Sequence, residues 1–129
     1  MTTNALANMP FMQHCGIAVE SAARDEVKGS LAFRPELCTT FGAIHGGALM
    51  AFADSLGAIC AFLNLPEGAT TTTVESKTNL LAAVRGGVVT ATATPLHTGS
   101  TLIVVETAVH RDDGRLAAKT TQTQAVLRG

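Results

Sequence analysis

The sequence predicts an α+β domain in which a long antiparallel sheet wraps around one central helix. Three observations carry this expectation. A nearly all-apolar stretch from about His45 to Leu63 has helical spacing. Four Thr- and Val-rich segments follow it, each set off from the next by a turn signal. Two shorter segments precede it. The 129 residues fit one domain, spanning 1–129.

In chain order, residues 4–9 are expected to form a short helix stopped by Pro10. "GIAVESAARDEVKGSLAF" reads as two strands, about 16–22 and 26–33, joined by "ARDE". "RPELCTTFGAI" reads as a loop. The central helix then runs to Leu63 and ends before Pro66. Leu49, Phe52, Ala53, Leu56, Ile59, Cys60 and Leu63 fall on one face. Met50, Ala51, Ala58 and Phe62 make the opposite face apolar too, and a helix apolar all round is wrapped by other structure. "TTTTVESKTNLL", "GGVVTATATPLH", "TLIVVETAVH" and "RLAAKTTQTQAVL" supply four long strands. The turn signals "RGG", "TGS" and "DDG" make them antiparallel neighbours.

Composition narrows the function. The net charge of −1 gives no electrostatic basis for nucleic acid, and the 4% aromatic content offers few stacking platforms. The chain is 47% hydrophobic and 15% charged, a balance that leaves sheet edges and one sheet face for other subunits to cover. A homodimer or homotetramer is expected, with a dimer of dimers favoured. Cys15, Cys38 and Cys60 lack CxxC spacing and are odd in number, so free thiols in a reducing, cytoplasmic compartment are expected. "MTTNALANMP" lacks the basic start and apolar core of a signal peptide. Residues 46–65 are long enough to span a bilayer. Asp54 at the centre would cost about 2.5–3.5 kcal/mol there, so a buried helix and no membrane partner are expected. His14, His97 and His110 show no metal-ligand spacing, and neither metal nor cofactor is expected.

The chemistry concentrates in "FGAIHGGALMAFADSLGAIC", Phe41–Cys60. A helix N-terminus presents unpaired N–H groups and positive potential. Gly46 and Gly47 let a ligand approach that backbone closely. A carbonyl gaining negative charge there would be stabilised by a preorganised N–H. Asp54 supplies a general base or a nucleophile. It lies eight residues after Gly46, about 12 Å along the axis at 1.5 Å per residue. One subunit cannot easily bring both groups to one carbonyl carbon, whereas two antiparallel helices in a dimer can. Plainer roles stand beside these. Asp54 is also read as a structural acid that caps a neighbouring strand or pairs with Lys77, and His45 as a simple helix-start residue. Gly46 and Gly47 also serve close packing, and Thr73 fits plain strand propensity.

"MPFMQHCGI", "FGAIHGG", an Asp nine residues after the His, "TVESKTNLL" and "GRLAAKTTQT" occur in that order. With them the chain resembles, over nearly its whole length, the hotdog-fold acyl-CoA thioesterases, in the branch containing the phenylacetate-degradation thioesterases. The resemblance implies a hotdog fold and hydrolysis of acyl-CoA to free acid and coenzyme A. It also implies a site shared between subunits, with coenzyme A as part of the substrate. It assigns the carbonyl hydrogen bond to Gly46 and the catalytic carboxylate to Asp54. It leaves His45 to orient the loop or the thioester. Thr73 matches a Ser or Thr that positions the attacking water in some relatives. Thr39 stands six residues before His45, where relatives often carry an Asn that contacts thioester or water. Gly47 joins the substrate-binding set. Arg85 is a candidate phosphate contact, with Gly99 and Ser100 of "HTGST" lining the same groove and Arg111 and Arg115 as weaker options. Ala58, Leu63 and Leu81, with Phe52 or Phe62, would line a pocket for an aryl or medium-length acyl group.

Two other functions compete. Hotdog-fold dehydratases usually pair the His with an Asp five residues earlier, and Thr40 holds that position here. A non-catalytic acyl-CoA or small-ligand binding protein stays open because Thr39 replaces the Asn. Thiol release from an acyl-CoA panel separates hydrolysis from binding.

Overall fold

The computed structural model describes residues 9–129. The expected helix at 4–9 falls almost wholly outside the described residues. The helix found here, α1 (Pro10–Cys15), instead starts at the proline. Pro10 takes the first turn, where its missing N–H costs nothing and its fixed φ suits the helix. Gly16 ends α1 in the left-handed region at φ 81°, a conformation glycine adopts without strain.

The remaining elements are β1 (Ile17–Ala22), β2 (Val27–Ala32), a 3₁₀ turn (Pro35–Leu37), α2 (Gly46–Leu63), β3 (Thr70–Leu80), β4 (Val88–Thr98), β5 (Leu102–His110) and β6 (Leu116–Leu127). They follow the order expected from the sequence, and the strand and α2 boundaries agree within one or two residues. The six strands form one antiparallel sheet in the order β1-β2-β4-β5-β6-β3. Helix α2 lies across it and packs on β2, β3, β4, β5 and β6. This is the helix-wrapped α+β sheet of a hotdog fold.

Alternation sorts the two faces of the sheet. Val89, Ala91 and Ala93 of β4 and Ile103, Val105 and Val109 of β5 point at the helix and are buried. They meet Leu49, Phe52, Leu56 and Ile59 of α2. Phe52 is fully buried, so it belongs to the core and not to a substrate pocket. The other face of α2 is less enclosed than its composition suggests: Met50 is exposed, and Ala51, Asp54 and Ala58 are half-buried. By length and mean hydropathy (1.6) α2 would suffice to cross a membrane, but half of it is buried inside this domain. Cys15 and Cys60 are buried free thiols, and Cys38 is a half-buried one.

Two irregularities place the candidate site side chains. The pairing of β3 with β6 slips between Thr73 and Glu75, leaving Val74 as a bulge. Thr71 and Thr73 face inward before the slip and Ser76 and Thr78 after it, so one strand presents polar groups to the helix in both phases. Gly57 is the second irregularity. A Cβ there would overlap the Gln122 side-chain amide, so only glycine admits that amide between α2 and β6.

Candidate active site

Helix α2 begins with His45 as N-cap. The His45 Nδ1 accepts the Gly47 N–H at 2.8 Å, which puts the proton of a neutral ring on Nε2. The His45 carbonyl accepts the N–H groups of Ala48 and Leu49. Among the described residues the cap and loop hydrogen bonds thus engage Gly47, Ala48 and Leu49, and none engages the Gly46 N–H. Gly46 keeps the free donor that its position promises. Gly47 does not, because His45 holds its N–H; its contribution is room, since a Cβ would stand 3.0 Å from Nδ1 of that ring. A Cβ at Gly46 would meet only the movable end of Leu80. The tightest helix–sheet approach made by a helix glycine is at Gly57, where a Cβ would overlap Gln122.

Asp54 sits two turns further on. Thr73 Oγ1 donates to its Oδ1 at 2.9 Å, and Gln122 Nε2 donates to the same oxygen at 3.0 Å. Behind Thr73, Gln124 Nε2 donates to the threonine hydroxyl at 2.6 Å. Thr71 Oγ1 lies 3.0 Å from Gln124 Oε1 and 2.9 Å from the Ala125 carbonyl. Direction follows from chemistry: the Gln124 NH₂ can only donate, so the single Thr73 hydrogen is turned toward the carboxylate. Among the described residues no donor reaches Oδ2 and no cation pairs with Asp54. The expected alternative pairing with Lys77 does not form. A depression of about 320 Å³, lined by Gly47, Met50, Ala51, Asp54, Thr73 and Ser76, opens over the carboxylate. It shares Gly47 and Ala51 with a second one of about 340 Å³ that reaches His45, Phe11 and Cys38.

The structure joins Asp54 to Thr73, places Gly47 on the rim of the same depression, and leaves Thr39, Arg85, Gly99 and Ser100 apart from them. Thr39 turns its hydroxyl to the Phe41 N–H at 3.2 Å, within its own loop. Arg85 donates to the Phe41 carbonyl at 2.8 Å and lines a depression beside Arg111 at the Gly46 end of the helix. Arg111 itself is paired with Asp113. Gly99 and Ser100 lie in the β4–β5 turn, where the Gly99 N–H bonds the Leu102 carbonyl and the Ser100 carbonyl accepts from Arg128. Leu102 is level with Ala125 on β6, and Leu80, which touches Gly46, is level with Ala118. Seven residues of strand separate those levels, about 23 Å at 3.3 Å per residue. Arg85 and the Gly99–Ser100 turn therefore do not line one groove within a single chain.

Gln122, Gln124 and Gly57 are absent from the sequence-based candidates. The signal for the two glutamines is present in "AAKTTQTQA", where strand alternation carries them on the face of buried Ala118.

Fold and site together define a class: a hotdog domain whose central helix presents a free N–H at its start and a polar-clamped carboxylate in its middle. Residues 41–118 match the family model of the thioesterase superfamily, and the chain belongs to that family of thioester hydrolases. Its fold is close to that of a thioesterase from Haemophilus influenzae, with a TM-score of 0.90 at 28% identity over 97% of this chain and 87% of that one. It is 26% identical over 124 residues to the 1,4-dihydroxy-2-naphthoyl-CoA hydrolase of Escherichia coli, covering 96% of this chain and 91% of the relative. It is also 26% identical over 124 residues to the proofreading thioesterase EntH of Cronobacter sakazakii, covering 96% and 90%.

Proposed function

We propose that this protein hydrolyses acyl-CoA thioesters with an aryl or medium-chain acyl group, giving the free acid and coenzyme A. The observation that carries the reading is Asp54: a half-buried carboxylate, without a cation, clamped through Oδ1 and open at Oδ2 over a depression. Oδ2 takes a proton from water as the hydroxide adds to the thioester carbonyl, or itself attacks that carbon to give an anhydride that water then opens. In either course the C–S bond breaks and coenzyme A leaves as the thiolate, which takes up the proton that the attacking water gives up. The Gly46 N–H receives the oxygen that gains charge. Single-turnover hydrolysis in ¹⁸O-water separates the courses: a general base puts the label in the acid, whereas ¹⁸O left in Asp54 after one turnover comes only from an anhydride opened at the Asp54 carbon.

The two groups come from different subunits. About 12 Å of helix separates them in one chain, at 1.5 Å per residue. The uncovered stripe of Met50, Ala51 and Asp54 on α2, beside the β3 edge with its exposed Val74, supports a second copy docking there. A homodimer is the minimum this reading needs, and a homotetramer satisfies it. His45 orients the loop, Thr73 holds Asp54, Thr39 shapes the loop before the helix, and Gly47 leaves room for the thioester. Arg85 of one subunit and the Gly99–Ser100 turn of another are the contacts proposed for coenzyme A. The naphthoyl-CoA hydrolase among the relatives favours an aryl acyl group. The free thiols Cys15, Cys38 and Cys60 fit a reducing cytoplasm.

The test is thiol release from a panel of aryl- and alkyl-CoA thioesters. Release that is fastest with an aryl member supports the proposal. Binding of acyl-CoA without release replaces it with the ligand-binding function.

A further inference from the structure

The inward face of β6 carries more polar mass than a core strand needs. Gln122 is 1% exposed, and while its Nε2 donates to Asp54, its Oε1 is buried with no hydrogen-bond partner among the described residues. A buried carbonyl without a partner is a standing loss of stability. The amide cannot turn round to relieve it, because Oε1 would then face the Asp54 carboxylate. A second loss sits against the first. Gly57, in the middle of α2, is a poor helix residue, and a Cβ in its place would overlap this amide. Both losses converge on one outcome, an Nε2–H held against Asp54 Oδ1.

Thr73 alone would leave the carboxylate held from one strand. With Gln122 it is held from β3 and β6 at the same oxygen. Two donors arriving from different strands set the plane of the carboxylate and assign Oδ2 to the open depression. We infer that Gln122, seated by Gly57, is a positioning residue that orients Asp54 for thioester hydrolysis. The inference rests on Asp54 being the working carboxylate.

Gln122→Met tests it, because Met keeps the length of the side chain and removes both the donor and the stranded carbonyl. Measured with the acyl-CoA that the wild type hydrolyses fastest, kcat should fall about 10–100-fold with KM within about two-fold, the scale of a lost hydrogen bond to a charged group. The melting temperature should stay level or rise. Gly57→Ala, which displaces the amide while leaving Asp54 and Gln122 in the sequence, should lower kcat in the same direction. The double variant should fall no further than the lower single, since both act through one amide. Unchanged kcat in Gln122→Met overturns the inference. So does a fall in kcat accompanied by a fall in melting temperature, which marks a structural role. A wild type that releases no thiol from any substrate removes the thioesterase reading itself, an outcome distinct from a failure confined to Gln122.

Discussion

Asp54 keeps its place on neutral donors, and this shapes what single substitutions should do. In Asp54→Asn the side-chain carbonyl still accepts from Thr73 and Gln122, and only the free oxygen is exchanged for an amide. The fold should therefore survive while turnover drops about 10²–10⁴-fold, the scale of a lost general base. Thiol-release kinetics beside circular dichroism check this, and full activity would take Asp54 out of the mechanism. Thr73→Val removes one of the two donors at nearly constant volume. It should lower kcat about 10–100-fold, from the roughly 1.5–3 kcal/mol of a hydrogen bond to a charged group. Thr73→Ser retains the hydroxyl and should recover most of the rate; equal losses in both variants would reject the hydroxyl as the cause.

Helix α2 is at once the core of the domain and the carrier of the site. Leu56 is fully buried in it, and Leu56→Ala should cost about 2–5 kcal/mol by chemical denaturation, since the sheet cannot close over the cavity. Further along the helix, burial first and the negative charge of Asp25 second push the Cys60 thiol up from 9.0 to about 11. A thiol raised in the folded state binds its proton more tightly there than in the unfolded chain. Its contribution is therefore complete below about pH 9 and is lost as pH rises toward about 11. Melting temperature should fall across that window more steeply in the wild type than in Cys60→Ala, and parallel curves would refute the linkage. At the start of the helix, the His45 backbone already has ψ 135°, which suits a residue preceding proline. Gly46→Pro should accordingly fold, displace the Leu80 side chain and lose only the N–H donor.

At the level of the whole molecule, the proposed shared site would make activity a property of a pair of chains. Asp54→Asn and Gly46→Pro should each be inactive alone. Refolded together, they form mixed dimers in which one site carries both defects and the other carries neither. Activity should return to about half the wild-type value per mixed dimer under two-fold symmetry. If one chain held both groups of a site, every site would keep a defect and the mixture would stay silent. Mixed dimers confirmed by mass without regained activity would overturn the cross-subunit mechanism, as would sedimentation showing only monomer at micromolar concentration.

The sequence by itself determined the order of elements and the path of the core. A 3.6-residue apolar period over α2 and Thr/Val strands between glycine turns have few other solutions, because each buries its apolar side against the other. It also singled out Gly46 and Asp54 as candidates and set their spacing, since helix rise converts residue number directly into distance. Only the tertiary structure decided what surrounds them. Gln122 lies 68 positions from Asp54 and reaches it through strand register, a bulge at Val74 and a missing Cβ at Gly57. The Gly47 N–H, in the first turn of α2, is held by the His45 ring. Arg85 and the Gly99–Ser100 turn, close in expectation, lie at different levels of the sheet because β4 carries the chain from one end to the other. Helix spacing is local and periodic, and so legible in one dimension. Which side chains meet across the sheet depends on register and on the space between helix and strands, and those exist only once the chain has folded.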